Sequence, residues 1–366
     1  MADWTSRFDA AYRFVRVSRA TGYETGLLDG FRAGGTIERN LDTAVKESGS
    51  VERVGGEDIG ADLVRVYLDA TFPDGSTESA ALGTFLASST SRKTDGSASS
   101  RTVSLAGRLK ELEDAEFVTP FCVPAGTNLV TYAAGIIRDA GLDVRSDASA
   151  YASTEPLYYG VQPQGTDASS SDSSRLAVVN DLLDRAGFDS ARTDAYGTVV
   201  LTRSYDVAER PVAWSFEEGP SARFLRDATD ELDTSSIANS VYAVFTGAAE
   251  EGGEQVTTIG HAVDSDPASP WSTASMGREV TARYEYQKHA TQAEADAKAA
   301  ELLAQQRSVA RKVTVSHVYA PVTIGDAVRI AYASGGIDGT FSVRTQRIEM
   351  GPGCLTEMGS RAHVRA

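Results

Sequence analysis

Apolar and polar residues alternate along much of the first hundred or so positions, which predicts β-strands in this part of the chain. The clearest alternation lies between residues 61 and 72, where one face holds only apolar side chains: Val64, Val66, Leu68, Ala70 and Phe72. The other face holds the residues between them: Arg65, Tyr67, Asp69 and Thr71. This strand is therefore predicted to be half-buried. The turn residues Pro73-Asp74-Gly75-Ser76 and the apolar run 80–87 complete a predicted hairpin.

Two further short strands are predicted at 13–17 and 36–39. The segment 90–100 is rich in Ser, Thr and Gly and is predicted to be a mobile loop. No convincing helical spacing occurs before about residue 107, so this region is expected to contain β-structure alone.

Helical spacing of apolar residues begins after about residue 107. One helix is predicted from apolar residues three to five positions apart: Val130, Ala134, Ile137 and Leu142. Thr127 is its predicted N-cap, and Gly141 suits the left-handed turn at its end. A second helix ends at Gly187 and has a similar series of apolar residues: Leu176, Val179, Leu183 and Ala186. Together with a strand predicted at 197–202, these helices indicate a small α/β domain.

The last third of the chain contains a predicted helix from residue 291 to about 311, followed by valine-rich strands. Thr291 and Glu294 have the spacing of a capping box. Four alanines form a narrow stripe that should allow close approach to a sheet or a neighbouring element: Ala293, Ala297, Ala300 and Ala304. Before this helix, 239–245 is strand-like, and 247–275 is predicted to be an acidic loop that is mobile or ordered by a partner.

These patterns predict an α+β, β-rich chain of 366 residues, long enough for two or three domains. The predicted order is a β-rich domain at 1–107, a small α/β domain at 108–205, a second β-rich domain at 206–350 and a C-terminal tail at 351–366. The third segment includes the acidic loop and the helix 291–311.

The formal net charge of −16 argues against a sequence-reading nucleic-acid protein, because phosphate contacts require clustered Lys and Arg. The acids are concentrated between residues 206 and 266. Two interpretations stay open: these acids form solvated loop faces, or they line a channel that repels DNA so that it slides past. The chain has no apolar run of membrane-spanning length and no signal peptide at its N-terminus, which predicts a protein without a membrane anchor that folds in a cytoplasm.

Sequence motifs for catalysis, cofactor binding or metal binding are not found. The four histidines have no zinc-site spacing: His261, His289, His317 and His363. His317 is interpreted as a sheet histidine with a hydrogen-bonded ring, and Cys122 and Cys354 as unpaired thiols. No phosphate-binding loop, dinucleotide fingerprint or Gly-x-Ser-x-Gly elbow is present. The chain is therefore predicted to be no enzyme and to use no cofactor or metal.

Aromatic residues allow two interpretations. They are predicted to be buried anchors or interface contacts, with sugar-stacking platforms as the alternative: Trp4, Trp214, Trp271, Tyr158 and Tyr159.

Three parts of the chain resemble, in order, the phage-tail hub family that includes the late control D proteins and the trimeric baseplate hub of contractile tails. The N-terminal part is similar to the opening barrel strands of siphophage tail-tip proteins: Gly35-Thr36-Ile37-Glu38-Arg39-Asn40, Ser48-Gly49-Ser50 and 62–67. The middle part has the family's order of strand, helix, Ala-Gly and Asp-x-x-Gly-strand: 159–162, 176–183, Ala186-Gly187-Phe188 and 194–201. The C-terminal part comprises 321–330 and 339–343. The resemblance covers nearly the whole chain.

The resemblance implies two tail-tube-like antiparallel β-barrels with an intervening small α/β domain. Three such chains would present six similar barrels in a ring, and so join a sixfold tail tube to a threefold tip. The expected partners are a distal tail protein, a tape-measure protein and tail fibre or spike proteins, with DNA passing through unbound. The expected location is the tail tip of a virion assembled in the host cytoplasm.

In such a ring, the acids expected to face the lumen come from two stretches of the third segment: Glu217, Glu218, Asp230, Glu231, Asp233, Glu250, Glu251 and Glu254. Three other functions stay open: a host-surface carbohydrate-binding module, a cell-wall hydrolase, and the hub of a phage-tail-like injection machine.

Overall fold

A computed structural model of the chain describes residues 4–32, 34–55, 59–95, 98–160, 174–205, 207–232, 237–246, 257–286, 290–306 and 308–365. The fold is β-rich, as predicted, and no closed barrel is found among the described strands. The chain divides into two compact units. The first comprises Met1–Asp227 and Val315–Gly359, and the second comprises Ala228–Thr314 and Ser360–Ala366. The finer division at 107, 205 and 350 stays a prediction.

The described residues form 21 strands. In chain order they are β1 Asp9–Val17, β2 Glu24–Leu27, β3 Thr36–Asn40, β4 Glu47–Val54, β5 Leu63–Thr71, β6 Thr77–Asp95, β7 Ala98–Gly107, β8 Phe121–Val123, β9 Val144–Ser146, β10 Leu157–Tyr159, β11 Arg192–Thr193, β12 Val199–Leu201, β13 Val212–Glu217, β14 Thr229–Leu232, β15 Ser240–Thr246, β16 Thr257–Val263, β17 Thr281–Tyr286, β18 Ser308–His317, β19 Ala327–Tyr332, β20 Ile337–Glu349 and β21 Thr356–Arg365.

Five α-helices accompany these strands in the described part of the chain: α1 Lys110–Glu113, α2 Leu129–Asp139, α3 Arg175–Arg185, α4 Thr273–Met276 and α5 Gln292–Gln306. None of these helices combines the length and the apolar character that crossing a bilayer requires.

The first unit is built on an antiparallel sheet with the strand order β3-β4-β7-β6-β5-β1-β2. Strand β20 pairs with β3, β19 pairs with β20, and β13 runs parallel to β19. The last part of the chain therefore extends the sheet that the first hundred or so residues begin. The core of this sheet is apolar and includes Ile37, Val64 and Phe85.

The predicted hairpin is confirmed in β5 and β6. The N–H of Phe72 donates to the carbonyl of Ser76 at 2.9 Å, and Gly75 has a φ of +84°. The prediction that β5 is half-buried was wrong, because Arg65 and Tyr67 are also buried. Arg65 donates to Thr84 Oγ1 at 2.9 Å and to the carbonyl of Tyr196 at 3.1 Å, so residues of the α/β region cover this face.

The loop predicted at 90–100 is not observed. Strands β6 and β7 pair through this segment, from Ser91 opposite Thr102 to Asp95 opposite Ala98, and only residues 96 and 97 lie outside the described part. Ser and Thr occur in strands as well as in loops. Here the backbone hydrogen bonds between β6 and β7 hold these residues in strands.

The α/β region contains α2 and α3, whose buried faces share one core with β12. The N-cap of α2 is Asn128, and the predicted cap Thr127 was wrong. Asn128 Oδ1 accepts the N–H of Thr131 at 2.9 Å, whereas the N–H of Thr127 donates to Pro124 in the preceding turn. The helix ends are confirmed: Gly141 and Gly187 have φ values of +79° and +72°.

The second unit has a small sheet in which β15 lies between antiparallel β16 and parallel β17. Helix α5 packs on this sheet. The predicted helix end at about 311 was wrong, because α5 ends at Gln306 and β18 begins at Ser308. The predicted loop 247–275 was wrong for residues 257–263, which form β16, while 247–256 lie outside the described residues.

The alanine stripe predicted on α5 was wrong. All four of its members are exposed. The buried face comprises Ala295, Ala299, Leu302 and Leu303. This side of the helix packs on the sheet because burying the two leucines removes more apolar surface from water than burying alanines would. The predicted close approach is nevertheless present: a Cβ on Gly260 of β16 would lie 2.0 Å from the carbonyl oxygen of Ala295.

Candidate channel acids and assembly surfaces

The acids proposed for a channel fall into separate places. Glu217 ends β13 and is exposed, and Glu218 follows it. Glu218 accepts the N–H of Ser334 at 2.9 Å and, through its other oxygen, the hydroxyl of the same residue. The hydrogen bonds from Ser334 hold the pKa of Glu218 below its usual range. Glu218 therefore stays ionised and fixes the 3₁₀ turn Ala333–Gly335.

Asp230 and Glu231 lie on β14 in the second unit, opposite cations of β18. Arg311 forms a bidentate pair with Asp230, with distances of 2.8 and 2.6 Å, and Lys312 lies 3.5 Å from Glu231. Hydrogen bonds from Arg311 lower the pKa of Asp230. These cross-strand pairs neutralise much of the charge that the sequence suggested for this segment.

The structure thus brings together Glu217 with Glu218 in one unit and Asp230 with Glu231 in the other. The remaining four candidates lie outside the described residues: Asp233, Glu250, Glu251 and Glu254. A single acidic wall built from all eight residues stays a prediction.

A buried polar network in the first unit was not predicted from the sequence. Glu47 on β4 is 3% exposed and lies 3.8 Å from Arg39 Nε on β3. Thr193 on β11 donates its hydroxyl to Glu47 at 2.8 Å, and Arg39 donates to Gln346 Oε1 on β20 at 2.9 Å. Burial, the largest cause, raises the pKa of Glu47 to about 7. The network joins the N-terminal strands, the α/β region and the C-terminal strands.

His317 is a buried sheet histidine with a hydrogen-bonded ring, as predicted. Its Nδ1 lies 2.7 Å from the carbonyl oxygen of Val318, and its ring lies 4.7 Å from that of Phe216. Burial lowers the pKa of His317 to about 4. Among the described residues, no group of three or more His, Cys, Asp or Glu side chains is arranged to hold a metal ion.

The aromatic residues have different environments. Trp4 is a buried anchor, with ring centroids of Phe8, Phe72 and Tyr319 within 5.6 Å. Tyr159 is half-buried and donates its hydroxyl to Asp181 at 2.5 Å, whereas Tyr158 is 76% exposed. Other exposed apolar side chains include Tyr23 and Leu27 near β2, and Ile259 on β16. Single exposed apolar residues of this kind are normal on a protein surface and do not by themselves mark an interface.

No protein-family model and no curated protein matches the chain. Solved structures match almost all of it. The tail protein from Neisseria meningitidis MC58 has 14% identity and a TM-score of 0.65 over 96% of both chains. The 43 kDa tail protein of prophage MuSo2 from Shewanella oneidensis has 13% identity and a TM-score of 0.61 over 96% of this chain and 98% of that chain. The chain has the fold of phage tail proteins.

Two further structures extend this finding. Prophage tail protein gp18 from Listeria monocytogenes EGD-e has 11% identity and a TM-score of 0.54 over 97% of this chain and 95% of that chain. A chain of the Francisella PdpA–VgrG complex has 7% identity and a TM-score of 0.54 over 97% of this chain and 57% of that chain. The likeness to tail proteins inferred from sequence is confirmed at the level of the fold.

Proposed function

We propose that the protein is a structural hub at the tip of a phage tail, where it joins the tail tube to the tip components and surrounds the path of the DNA. The observation that supports this proposal is the fold shared with three tail proteins over at least 95% of each chain. A likeness over nearly full length favours a role for the whole chain in the tail over a role for one appended module.

Three copies of the chain, in this proposal, form a closed ring at the tip. Each chain would contribute two tail-tube-like β domains, one from segment 1–107 and one from segment 206–350. Six similar domains in a ring would match the sixfold symmetry of the tube, while the three chains match a threefold tip. This role requires surfaces for assembly and no reacting groups.

Immunogold labelling of purified tails tests the proposed position. An antibody against this protein should label one end of each tail, the end distal to the head. Label distributed along the whole tube, or absent from intact particles, would contradict the hub role. Mass photometry of the purified protein is a second measurement, in which a mass of three chains would support the ring.

The channel part of the proposal concerns Glu217 and Glu231. Both side chains are exposed, and neither is held by two hydrogen bonds in the way that Glu218 and Asp230 are held. Glu217→Lys with Glu231→Lys should leave particles intact but slow DNA ejection, because DNA would adhere to the new cations. Glu78→Lys, at an exposed position of β6, is the matched control. Equal ejection rates for wild-type, double-variant and control particles would contradict the assignment of Glu217 and Glu231 to the lumen.

A second candidate function is the hub of a phage-tail-like injection machine. The likeness to a chain of the Francisella PdpA–VgrG complex favours it. The two functions differ in what surrounds the protein, so labelling of particles with and without a DNA-filled head distinguishes them.

A further inference from the structure

An open strand edge lies beside a groove in the first unit. Strand β1 pairs with β5 along its whole length, from Asp9 to Val17. On its other side, β2 pairs only with Val15–Val17, and the N–H of Leu28 bonds to the carbonyl of Phe14 at 2.9 Å. The first half of β1 is therefore left without β2 beside it.

The chain after β2 turns away from β1 and pairs with β4 instead. The N–H of Arg32 donates to the carbonyl of Glu52 at 2.9 Å, and the N–H of Val54 donates to the carbonyl of Gly30 at 2.8 Å. Phe31 forms a bridge with Arg53. The two backbones diverge, and a gap opens between β1 and the segment 30–32.

The backbone groups of Ala10 and Tyr12 point into this gap. In an antiparallel strand the N–H and C=O groups of successive residues point to opposite sides. Since the carbonyl of Phe14 points toward the β2 side, those of Ala10 and Tyr12 point the same way. Within the described part of the chain, no backbone hydrogen bond to these two residues exists on this side. They present an edge that a further strand can extend.

The groove at this edge has a volume of about 600 Å³, within the range of about 300–1,000 Å³ common for ligand sites. Its floor is aromatic: Phe14 stacks on Phe31 with ring centroids 4.0 Å apart, and Phe8 also lines the groove. Gly351–Gly353 form a wall, which is fixed by a 2.7 Å hydrogen bond from the Tyr12 hydroxyl to the carbonyl of Gly351. An aromatic floor next to a free edge suits the alternating side chains of an extended peptide.

The rim of the groove is basic, although the chain has a net charge of −16. Three arginines line it, Arg7, Arg32 and Arg223, against one acid, Asp9. Arg32 also lies 3.7 Å from Glu52, which leaves Arg7 and Arg223 as the main source of positive charge. This charge complements an acidic ligand and opposes a basic one.

We propose that this groove binds an extended, acidic peptide segment of another tail protein, which adds to the sheet as a strand beside β1. Backbone hydrogen bonds to Ala10 and Tyr12 supply the pairing, apolar side chains of the peptide contact Phe14 and Phe31, and its carboxylates contact Arg7 and Arg223. Only one part of this inference rests on the proposed function, namely that the partner is a tail protein.

Fluorescence anisotropy with a labelled hexapeptide of alternating valine and glutamate tests the proposal on the isolated chain. We expect saturable binding, and binding about tenfold weaker for the same peptide with lysine in place of glutamate. The combined variant Arg7→Glu and Arg223→Glu should weaken binding of the acidic peptide by about tenfold or more. Arg138→Glu, on the exposed face of α2, should leave it unchanged.

Ala10→Pro tests the edge itself, because proline removes the donor and is tolerated where a strand's N–H is unpaired. This variant should fold, by circular dichroism, and bind the acidic peptide about tenfold more weakly. The proposal would be overturned if the lysine peptide bound as tightly as the glutamate peptide. It would also be overturned if the combined variant Arg7→Glu and Arg223→Glu bound the acidic peptide as tightly as the wild type. Self-association of the wild-type chain that Ala10→Pro abolishes would also overturn it, because the occupant would then be a second copy. None of these results depends on where the protein lies in a tail.

Discussion

Two charged pairs, one in each compact unit, differ in how deeply they are buried. In the first unit, Arg39 and Glu47 are 7% and 3% exposed and belong to a network that joins distant parts of the chain. In the second unit, the pair Glu231–Lys312 is about 60% exposed on both sides and joins neighbouring strands. Burial, and not the number of acids along a segment, therefore decides which charges matter for stability.

Removal of the buried Glu47 carboxylate should destabilise the protein more than any other change considered below. Glu47→Ala leaves Arg39 buried beside a gap and removes the acceptor of Thr193, so we expect the first unit to lose about 3 kcal/mol of unfolding free energy. Asp230→Ala in the second unit should cost less than about 1 kcal/mol, because its partner Arg311 reaches water. Urea unfolding of both variants measures the contrast. Equal losses would remove the distinction between the units.

A pH dependence should follow from the same residue. The folded-state pKa of Glu47 is raised to about 7, above its ordinary value of 4.5, so its contribution to stability is present below about pH 4.5 and is lost as the pH rises through about 7. Wild-type protein should lose roughly 2 kcal/mol relative to Glu47→Gln between about pH 5 and pH 8. His317 acts in the opposite direction, since its pKa is lowered to about 4. His317 is present in both proteins, so its contribution cancels when the unfolding free energy of Glu47→Gln is subtracted from that of the wild type. If this difference did not change with pH, Glu47 would not titrate as described.

In the second unit, a close backbone approach holds α5 on its sheet. Gly260→Ala places a methyl group 2.0 Å from the Ala295 carbonyl oxygen, so we expect a loss of about 1–3 kcal/mol. Gly135→Ala on α2 is the control, because a Cβ there meets no atom within 4 Å. It should stabilise the protein by about 0.5–1 kcal/mol, as helical alanine replaces glycine. Thermal unfolding measures both, and a neutral Gly260→Ala would show that the helix can move away.

Several local features of the fold were predictable from the sequence, although the N-cap of α2 and the end of α5 were not. The turn at Gly75, the ends of α2 and α3 at Gly141 and Gly187, and the capping box of α5 depend on residues a few positions apart. In the capping box, the N–H of Thr291 donates to Glu294 at 2.8 Å and the N–H of Glu294 donates to Thr291 Oγ1 at 3.3 Å.

The failures that concern burial and charge have a common cause. The buried face of α5 depends on which side contacts β15 and β16, and the alanine spacing used for the prediction took no account of Leu302 and Leu303, which lie on the other side of the helix. Arg65 and Glu47 look like surface residues in the sequence, and they are buried because segments more than about 100 positions away cover them: Tyr196 covers Arg65, and Thr193 bonds to Glu47. The charge of the candidate channel acids was also overestimated, since Arg311 and Lys312 lie opposite two of them only after the chain folds.

Cryo-electron microscopy of assembled tails would locate this chain and count its copies. We expect three copies of this chain in one ring at the distal end of the tube, each contributing two domains to a six-membered ring around the channel. Six copies per ring, repeated along the tube, or a tip in which this chain is absent, would contradict it.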